Sequence, residues 1–214
     1  MKYKSNQFIQ FNPAERLYKG AVAKKIAMEH LGVFARRPQG FTVASFSGGL
    51  KFRNGDTLLA RITPCLENGK TAFVNILDSN EVAFGSTEYI VMRAVPNLSL
   101  PLYVYYLSVS NNFRAHAIKS MTGTSGRQRI QQAKLEELEF DLPDLVTQQH
   151  IVDLMWQLSY SPYLKIANTF SSSFLLSCIS SSNSALTFFI SSSTSSLVFL
   201  LLSSMPTYLP GTRE

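Results

Sequence analysis

Three charged side chains between residues 56 and 70 have the types that a metal-dependent nuclease uses. Asp56 and Glu67 would hold Mg²⁺, and Lys70 would support the attacking water. Only two residues separate Glu67 from Lys70, however, and on a strand this spacing sends the two side chains to opposite faces. The spacing therefore favours turn residues beside a hairpin over a nuclease centre.

Other patterns that would indicate catalysis or cofactor binding are incomplete. The segment from Thr122 to Arg127 is rich in glycine and hydroxyl groups, but it lacks the Gly-Lys-Ser/Thr ending of a nucleotide-binding loop. The histidines, His30, His116 and His150, are not spaced with cysteines or carboxylates as metal ligands. We therefore expect a non-catalytic chain that holds no metal or cofactor of its own.

A larger group of basic and amide side chains is interleaved with threonine, serine, asparagine and glycine. Such side chains contact the phosphates and base edges of DNA. The strongest cluster follows Gly123, because a loop of small residues there can approach a duplex closely and leads directly into two arginines and a glutamine. The candidate DNA-contacting residues are Arg36, Arg37, Lys51, Arg53, Lys70, Thr124, Ser125, Arg127, Gln128 and Arg129.

The two arginines of that cluster, Arg127 and Arg129, allow three interpretations. A phosphate contact would position the protein on DNA, whereas a contact with guanine would read the base sequence. In the third interpretation the arginines are structural and tie the loop to an acidic residue nearby in the chain. The acidic candidates are Glu136, Glu137 and Glu139.

The segments around these residues predict a mixture of strands and helices. Asp56–Ile62 and Thr71–Leu77 are rich in strand-forming residues and flank an Asn-Gly turn signal, which predicts a hairpin-like pair. Further strands are predicted at Glu88–Ala94 and Leu138–Leu142. Because strands and helices do not alternate regularly, the expected fold class is α+β, with a single globular domain.

Three helices are predicted from caps and apolar spacing. Asn12 and Pro13 are typical of a helix start. Beyond Pro101, apolar residues recur at helical spacing as far as Ala117, which predicts one helix of about four turns. A third helix is predicted from Thr147 onward. Its apolar stripe consists of Ile151, Leu154, Met155 and Leu158.

The distribution of charge divides the 214 residues into two sections. The formal net charge is +6, but after Met155 only Lys165, Arg213 and Glu214 are charged. A mildly basic front section permits a polyanionic partner. The back section is rich in Ser, Phe and Leu, and its uncharged window Asn183–Leu202 is long enough to span a bilayer. Its many hydroxyl residues and missing basic flank argue against an anchor.

Two further features bear on location. Cys65 and Cys178 fall in different sections and cannot form a disulfide framework, and the first eleven residues lack the apolar core of a signal peptide. We therefore expect a cytoplasmic protein without a membrane partner. The alternative function is a membrane-tethered or other non-DNA interaction protein whose hydrophobic tail is functional.

Five segments together resemble a target recognition domain of type I restriction–modification specificity subunits. They are FIQFNPAERLYKG (Phe8–Gly20), FRNGDTLLARITPCLENGKTAFVNIL (Phe52–Leu77), FGSTEYIVMRA (Phe84–Ala94), MTGTSGRQRI (Met121–Ile130) and LPDLVTQQHI (Leu142–Ile151). Their order and spacing also match the family, and the resemblance extends from about Gln7 to Leu158. It implies a globular recognition domain followed by a long conserved helix.

The same resemblance implies a function and partners. Each such domain reads one half of a split double-stranded DNA site, and the helices dock modification subunits that methylate adenine, together with a restriction subunit. The specificity subunit is not catalytic, so S-adenosylmethionine, ATP and Mg²⁺ are expected on partner subunits only. Because one recognition domain is present, the apolar stripe would fold back on it or pair with a second half-subunit or a second copy of the chain.

These inferences define three expected regions and a truncated subunit. Residues 1–145 would form the recognition domain, residues 146–161 the start of the conserved helix, and residues 162–214 a tail that is not a domain. Pro162 would break the helix, and the charged heptads of a coiled coil are missing beyond it. Since Phe, Ser and Leu codons complement purine-rich Glu, Lys and Arg codons, one hypothesis is that residues 156–214 are an antisense reading of a coil. A frameshift and a genuine anchor are the alternatives.

Overall fold

The computed structural model describes residues 2–124 and 126–160, with side chains as far as residue 157. The strands are β1 (Lys2–Lys4), β2 (Ile9–Phe11), β3 (Val22–Ile26), β4 (Thr42–Ser45), β5 (Lys51–Phe52), β6 (Thr57–Ala60), β7 (Thr71–Phe73), β8 (Ala83–Gly85), β9 (Tyr89–Ala94), β10 (Met121–Thr122), β11 (Arg129–Ile130) and β12 (Glu139–Asp141). The helices are α1 (Ser5–Phe8), α2 (Pro101–Val109), α3 (Asn111–Lys119), α4 (Gln132–Glu136), α5 (Leu145–Tyr160) and a 3-10 helix, η1 (Met28–His30). Met1–Val152 forms one compact unit, and a second unit begins at Asp153.

The central sheet has the strand order β2-β9-β6-β7 and is antiparallel throughout. The predicted hairpin is confirmed, because β6 pairs with β7 and Leu58 lies opposite Ala72. The predicted strand at Glu88–Ala94 is also confirmed as β9. Leu58–Ala60 of β6 and Tyr89–Met92 of β9 are all buried because the sheet is covered on both faces, so that neighbours such as Leu58 and Leu59 join different hydrophobic clusters.

A second four-stranded sheet, which we call the outer sheet, packs on one face of the central sheet. Its order is β4-β3-β8-β5, in which β3 and β8 are parallel and the other pairs are antiparallel. Ile26, Phe52 and Ala83 of this sheet bury their side chains in one cluster with Leu58 and Val91 of the central sheet. The fold is therefore α+β with three layers, because helices cover the opposite face of the central sheet.

The helical layer corrects one prediction. The single helix expected from Pro101 to Ala117 is two helices, α2 and α3, which meet at Ser110. Ser110 has an extended backbone (ψ 147°), and its hydroxyl accepts a hydrogen bond from the backbone N–H of Phe113. Val104 of α2 packs in the same cluster as Phe113 and Ala117 of α3, so both helices cover the same face of the central sheet. Ser110 therefore ends α2 and caps α3, although the apolar spacing in the sequence continues past it.

The predicted helix start at Asn12 is wrong, because the residues directly after Asn12 are not helical. Asn12 adopts a left-handed conformation (φ +45°), and its side-chain oxygen accepts a hydrogen bond from the N–H of Val91 at 2.8 Å. Its amide nitrogen donates to Gln132 Oε1 at 2.6 Å. An asparagine suits both a helix cap and a left-handed turn, and here distant partners select the turn.

The last two elements that the structure describes are β12 and α5. β12 confirms the strand predicted at Leu138–Leu142 and pairs with β1. The predicted terminal helix is also confirmed and begins at Leu145, where Asp144 accepts a hydrogen bond from the N–H of Thr147 at 2.8 Å. This backbone hydrogen bond lowers the pKa of Asp144. The carboxylate therefore caps α5 in its charged form.

Candidate nucleic-acid interface

Three loops that carry most of the candidate residues lie side by side. They are loop A (residues 31–41), which follows η1, loop B (residues 61–70), which joins β6 to β7, and loop C (residues 123–128), which joins β10 to β11. Loop B begins where β6 leaves the central sheet, so that its position is set by a strand buried on both faces. Backbone hydrogen bonds attach the other two loops to it.

Loops A and B are joined by backbone contacts and by a close approach of two residues. Val33 forms a β-bridge with Lys70, and the N–H of Phe34 donates to the carbonyl of Gly69 at 3.0 Å. Gly69 has φ +77°, and a Cβ atom there would lie 2.6 Å from the ring of Phe34. Only glycine satisfies both the left-handed backbone and this contact. The Asn-Gly signal in the sequence therefore serves the packing of loop A as well as the turn.

A buried arginine contacts both loop A and loop B where the two loops meet. Arg114 of α3 is 6% exposed, and its guanidinium lies 4.7 Å from the centre of the Phe34 ring. It donates to the carbonyls of Leu66 at 2.6 Å and Glu67 at 3.3 Å. Burial lowers the pKa of Arg114. Sequence reasoning missed this residue, because nothing in its helical neighbourhood distinguishes it from a surface arginine.

Loop C is attached to the other side of loop B. The N–H of Thr63 donates to the carbonyl of Gln128 at 3.0 Å, and the N–H of Ile130 donates to the carbonyl of Arg61 at 2.9 Å. A β-bridge joins Ile62 to Arg129. Loops A, B and C therefore form one continuous surface at the end of β6.

Several predicted residues come together on this surface. Arg37, Thr124 and Arg127 are exposed, whereas Arg36, Lys70 and Gln128 are half-buried. Lys70 extends toward η1, which precedes loop A, and donates from Nζ to the carbonyl of Met28 at 3.1 Å. Ser125 lies outside the described residues.

Arg129 is held by a carboxylate that the sequence did not identify. Its Nε and Nη2 atoms donate to Glu88 at 2.7–3.0 Å, and the two side chains are 41% and 26% exposed. The hydrogen bond from Arg129 lowers the pKa of Glu88, and Glu88 raises that of Arg129. The ion pair that we considered is present for Arg129, but its partner precedes it by 41 residues. The nearby candidates Glu136, Glu137 and Glu139 are not its partners in this pair.

The other two predicted residues, Lys51 and Arg53, lie elsewhere. Lys51 is on β5, with Nζ 5.5 Å from the centre of the Phe46 ring. Arg53 precedes the start of β6, whereas loop B follows its end, and its guanidinium forms an ion pair with Glu15 at 2.5 Å. The structure therefore does not place these two residues with loops A, B and C.

Arg53 belongs to a buried ion network that also decides the role of Asp56. Arg93 donates from Nε and Nη2 to the two oxygens of Asp56 at 2.6 and 2.7 Å, and from Nη1 to Glu15 at 2.7 Å. Asp56 and Glu15 have side chains only 1% and 2% exposed. Hydrogen bonds to Asp56 raise the pKa of Arg93. The network joins the start of β6 to β9 and to the segment after β2.

The three residues of the nuclease alternative, Asp56, Glu67 and Lys70, have different partners and do not form one site. Asp56 lies in the ion network at the start of β6, while Glu67 accepts a hydrogen bond from the hydroxyl of Thr63 at 3.0 Å within loop B. Lys70 points to the carbonyl of Met28. Within residues 2–124 and 126–160, no cluster of three or more His, Cys, Asp or Glu side chains has the arrangement of a metal site.

The apolar stripe of α5 is described only in part. Ile151 is buried and belongs to the first unit, whereas Leu154 is 37% exposed and Met155 is buried. The side chain of Leu158 lies outside the described residues, as does the hydrophobic tail. Among the described helices, none combines the length and the apolar character that a bilayer crossing requires.

A second residue that sequence reasoning missed fastens α5 to the first unit. Gln148 is fully buried, and its side-chain oxygen accepts from the N–H of Leu100 at 2.9 Å. Its amide nitrogen donates to the carbonyls of Leu98 and Pro143, each at 2.9 Å. All of its polar atoms thus have backbone partners. A glutamine in a predicted helix gives no sign of this role, because polar residues usually mark the solvated face.

Comparisons with known proteins agree with the resemblance seen in the sequence. Residues 43–169, more than half of the chain, match the model of the type I restriction modification DNA specificity domain. The specificity subunits of the type I restriction enzymes EcoAI and EcoEI from Escherichia coli are 33% and 29% identical over 111 and 113 residues. These alignments cover 52% and 53% of this chain but only 19% of each relative. The matched region therefore spans about a fifth of the length of these curated relatives.

Two solved structures share the fold. The HsdS subunit from Thermoanaerobacter tengcongensis matches with a TM-score of 0.62 at 16% identity, covering 74% of this chain and 41% of that one. A structure described for complex assembly and conformational transition of the type I R-M system matches with a TM-score of 0.52 at 14% identity, covering 74% and 38%. Neither these matches nor the described helices favour the membrane-tethered alternative. The chain belongs to the type I restriction modification DNA specificity domain family.

Proposed function

We propose that the first unit recognises one half of a split DNA site through loops A, B and C. The observation that carries this proposal is the joining of three separate loops into one surface with basic side chains from each. Arg37, Lys70 and Arg127 come from loops A, B and C respectively. Basic loops on a rigid scaffold are the usual means by which a protein meets the phosphate backbone and then the base edges.

Within this surface, the candidate residues have different expected roles. Arg127 is exposed, and its backbone N–H donates to the carbonyl of Thr124 at 3.0 Å, so that the loop presents the side chain outward. We assign it a phosphate contact, because most protein–DNA hydrogen bonds go to the backbone. Thr124, Ser125 and Gln128 would contribute hydroxyl and amide groups, and Arg36 would stiffen loop A through its carbonyl, which accepts from Phe73 at 2.8 Å.

The assembly follows from the family and from α5. We propose that the chain is a non-catalytic recognition component in the cytoplasm, and that methylation of adenine and DNA cleavage belong to modification and restriction subunits. S-adenosylmethionine, ATP and Mg²⁺ would bind those subunits and not this chain. The exposed Leu154 is on the part of α5 that would meet a modification subunit, a second half-subunit or a second copy of the chain.

Binding of the full chain to duplex DNA at several salt concentrations tests the interface. Arg127→Ala should weaken binding to all duplexes about equally and reduce the slope of log affinity against log salt by about 0.9. Lys70→Ala should also weaken binding, because it removes a second basic side chain from the surface. Lys19→Ala is the matched control, since Lys19 is exposed and precedes β3, at the end of that strand opposite loop A.

Two results would contradict the proposal. If Lys19→Ala weakens binding as much as Arg127→Ala, the protein is attracted to DNA by net charge alone. If Arg127→Ala and Lys70→Ala leave affinity and salt slope unchanged while Lys51→Ala weakens binding, the interface lies on the outer sheet and not on loops A, B and C.

A further inference from the structure

A carboxylate within the proposed DNA surface requires an explanation. Glu88 lies between loops B and C, where it binds Arg129 and is close enough to Arg61 for that charge to lower its pKa further. A negative side chain repels phosphate, so it weakens general DNA binding. Glu88 is nevertheless firmly placed: its N–H donates to the hydroxyl of Ser86 at 3.0 Å and its carbonyl accepts from the N–H of Arg61 at 3.0 Å.

The geometry of the pair leaves part of the arginine available. Glu88 binds the edge of the guanidinium formed by Nε and Nη2, at 2.7–3.0 Å. The second edge, formed by Nη1 and the outer proton of Nη2, is not used by Glu88, and the Arg129 side chain is 41% exposed. Since the guanidinium is planar, fixing one edge also fixes the direction of the other. The backbone of Arg129 is held as well, by its bridge to Ile62.

The charge of the pair distinguishes Arg129 from its neighbour Arg127. An arginine neutralised by a carboxylate releases little counterion from DNA, so it is a poor phosphate contact. It remains a good reader of guanine, because two parallel hydrogen bonds to O6 and N7 need a directed edge and not a net charge. Arg127, which is exposed on the loop, retains its charge for the backbone.

We propose that Glu88 is a positioning residue that orients Arg129 to read a guanine in the recognised half-site. This inference rests on the proposed DNA-recognition function and adds a division of labour within it. Arg127 binds phosphate and sets affinity, whereas the Glu88–Arg129 pair sets base preference. Pre-orienting the side chain removes the rotamer entropy that a free arginine would lose on binding.

Two DNA probes test this with the full-length chain. The first is a duplex library with a randomised central segment, from which bound molecules are selected and sequenced. The second is a duplex of A·T pairs only, which offers no guanine. The variants are Glu88→Ala, Glu88→Asp, Arg129→Ala, the double variant Glu88→Ala/Arg129→Ala, and Arg127→Ala. Asp78→Ala is the charge-matched control, because Asp78 is an exposed carboxylate bound to Lys24 on the outer sheet.

Opposite changes in specificity and general affinity are expected for Glu88→Ala. Preference for guanine at one position should fall by about 2- to 10-fold, because Arg129 must then lose its rotamer entropy on binding. Binding to the A·T duplex should strengthen, and its salt slope should steepen by about 0.9, because the charge of Arg129 is released. The double variant Glu88→Ala/Arg129→Ala, which removes both charges, should lose the whole base preference, about 5- to 150-fold, without weakening binding to the A·T duplex. Arg129→Ala should lose the same preference and also weaken binding to the A·T duplex, because Glu88 is left unpaired. Glu88→Asp should retain part of the preference, and Asp78→Ala all of it.

Each contrary result has a separate meaning. If the double variant Glu88→Ala/Arg129→Ala weakens binding to the A·T duplex but keeps the preference for guanine, Arg129 is a phosphate contact and the inference is wrong. If Glu88→Ala and Arg129→Ala lower thermal stability but leave the selected sequences unchanged, the pair is structural and the inference is again wrong, while the proposed function stands. A wild-type chain that selects no base at any position would overturn the proposed function itself.

Discussion

Replacing Arg93 with methionine should destabilise the first unit more than any other single change in the ion network. The guanidinium makes three hydrogen bonds, two to Asp56 and one to Glu15, and both carboxylates are almost completely buried. Methionine keeps the length and packing of the side chain but leaves Asp56 without the guanidinium, and of the two arginines Glu15 keeps only Arg53. Removing one member of a buried ion pair costs about 3–5 kcal/mol. Because Arg93 is 27% exposed, we expect the lower end, about 3 kcal/mol.

Urea denaturation of the wild type and Arg93→Met measures this difference. With a slope of about 2 kcal/mol per molar urea, the midpoint should fall by about 1.5 M. Arg53→Met is the matched control, since Arg53 binds the same Glu15 but is 48% exposed, and it should cost about 1 kcal/mol or less. The double variant Arg93→Met/Asp56→Asn should be less destabilised than the sum of its single changes, because one stranded charge is removed. Equal midpoints for Arg93→Met and Arg53→Met would refute the reasoning.

Three further changes test the other polar contacts of the first unit. Gln148→Met should cost about 2–4 kcal/mol in urea unfolding, because it removes the three hydrogen bonds that the buried Gln148 side chain makes to backbone groups, and amide exchange at Leu100 should accelerate; unchanged exchange would count against this anchor. Glu88→Gln should be less stable than the wild type at neutral pH but equal to it in acid. The pKa of Glu88 is lowered on folding, so its stabilisation is complete above its ordinary value of 4.5 and is lost as the pH falls below that value; a difference that persists at pH 2 would contradict it. Asp144→Ala should reduce helical circular dichroism at neutral pH but not in acid, because the charged carboxylate caps α5, and an equal loss at both pH values would exclude this role.

The elements that the sequence predicted correctly depend on local information. The strands β6 and β7 are apolar and flank the Asn68-Gly69 turn, so their pairing needs no distant partner. The strand β9 and the helix α5 are likewise marked by composition and by apolar spacing within a few residues, although α5 begins at Leu145, two residues before the predicted Thr147. The family resemblance depends on motifs in a fixed order, and for that reason it too is visible without a structure.

The errors occur where one residue type suits two local conformations. Asn12 can cap a helix or adopt a left-handed turn, and its partners Val91 and Gln132, which select the turn, are 79 and 120 residues away. Ser110 caps α3 within a continuous apolar period, so a break in the helix leaves no mark on the spacing. The outer sheet was missed because β4 is largely exposed and β3 is mostly half-buried, and neither strand shows a regular alternation of apolar and polar residues.

The sequence by itself determined which side chains were available for DNA recognition, because basic and hydroxyl residues in glycine-rich loops are a local property. Only the tertiary structure decided which of them act together. Arg53, which looked equivalent to Arg127, is committed to buried Glu15, whereas Arg129 is paired with Glu88 from the turn before β9. The physical reason is that an ion pair is selected by distance in space. The folded sheets bring residues that are tens of positions apart within hydrogen-bonding range of each other, and no spacing in the chain records that choice.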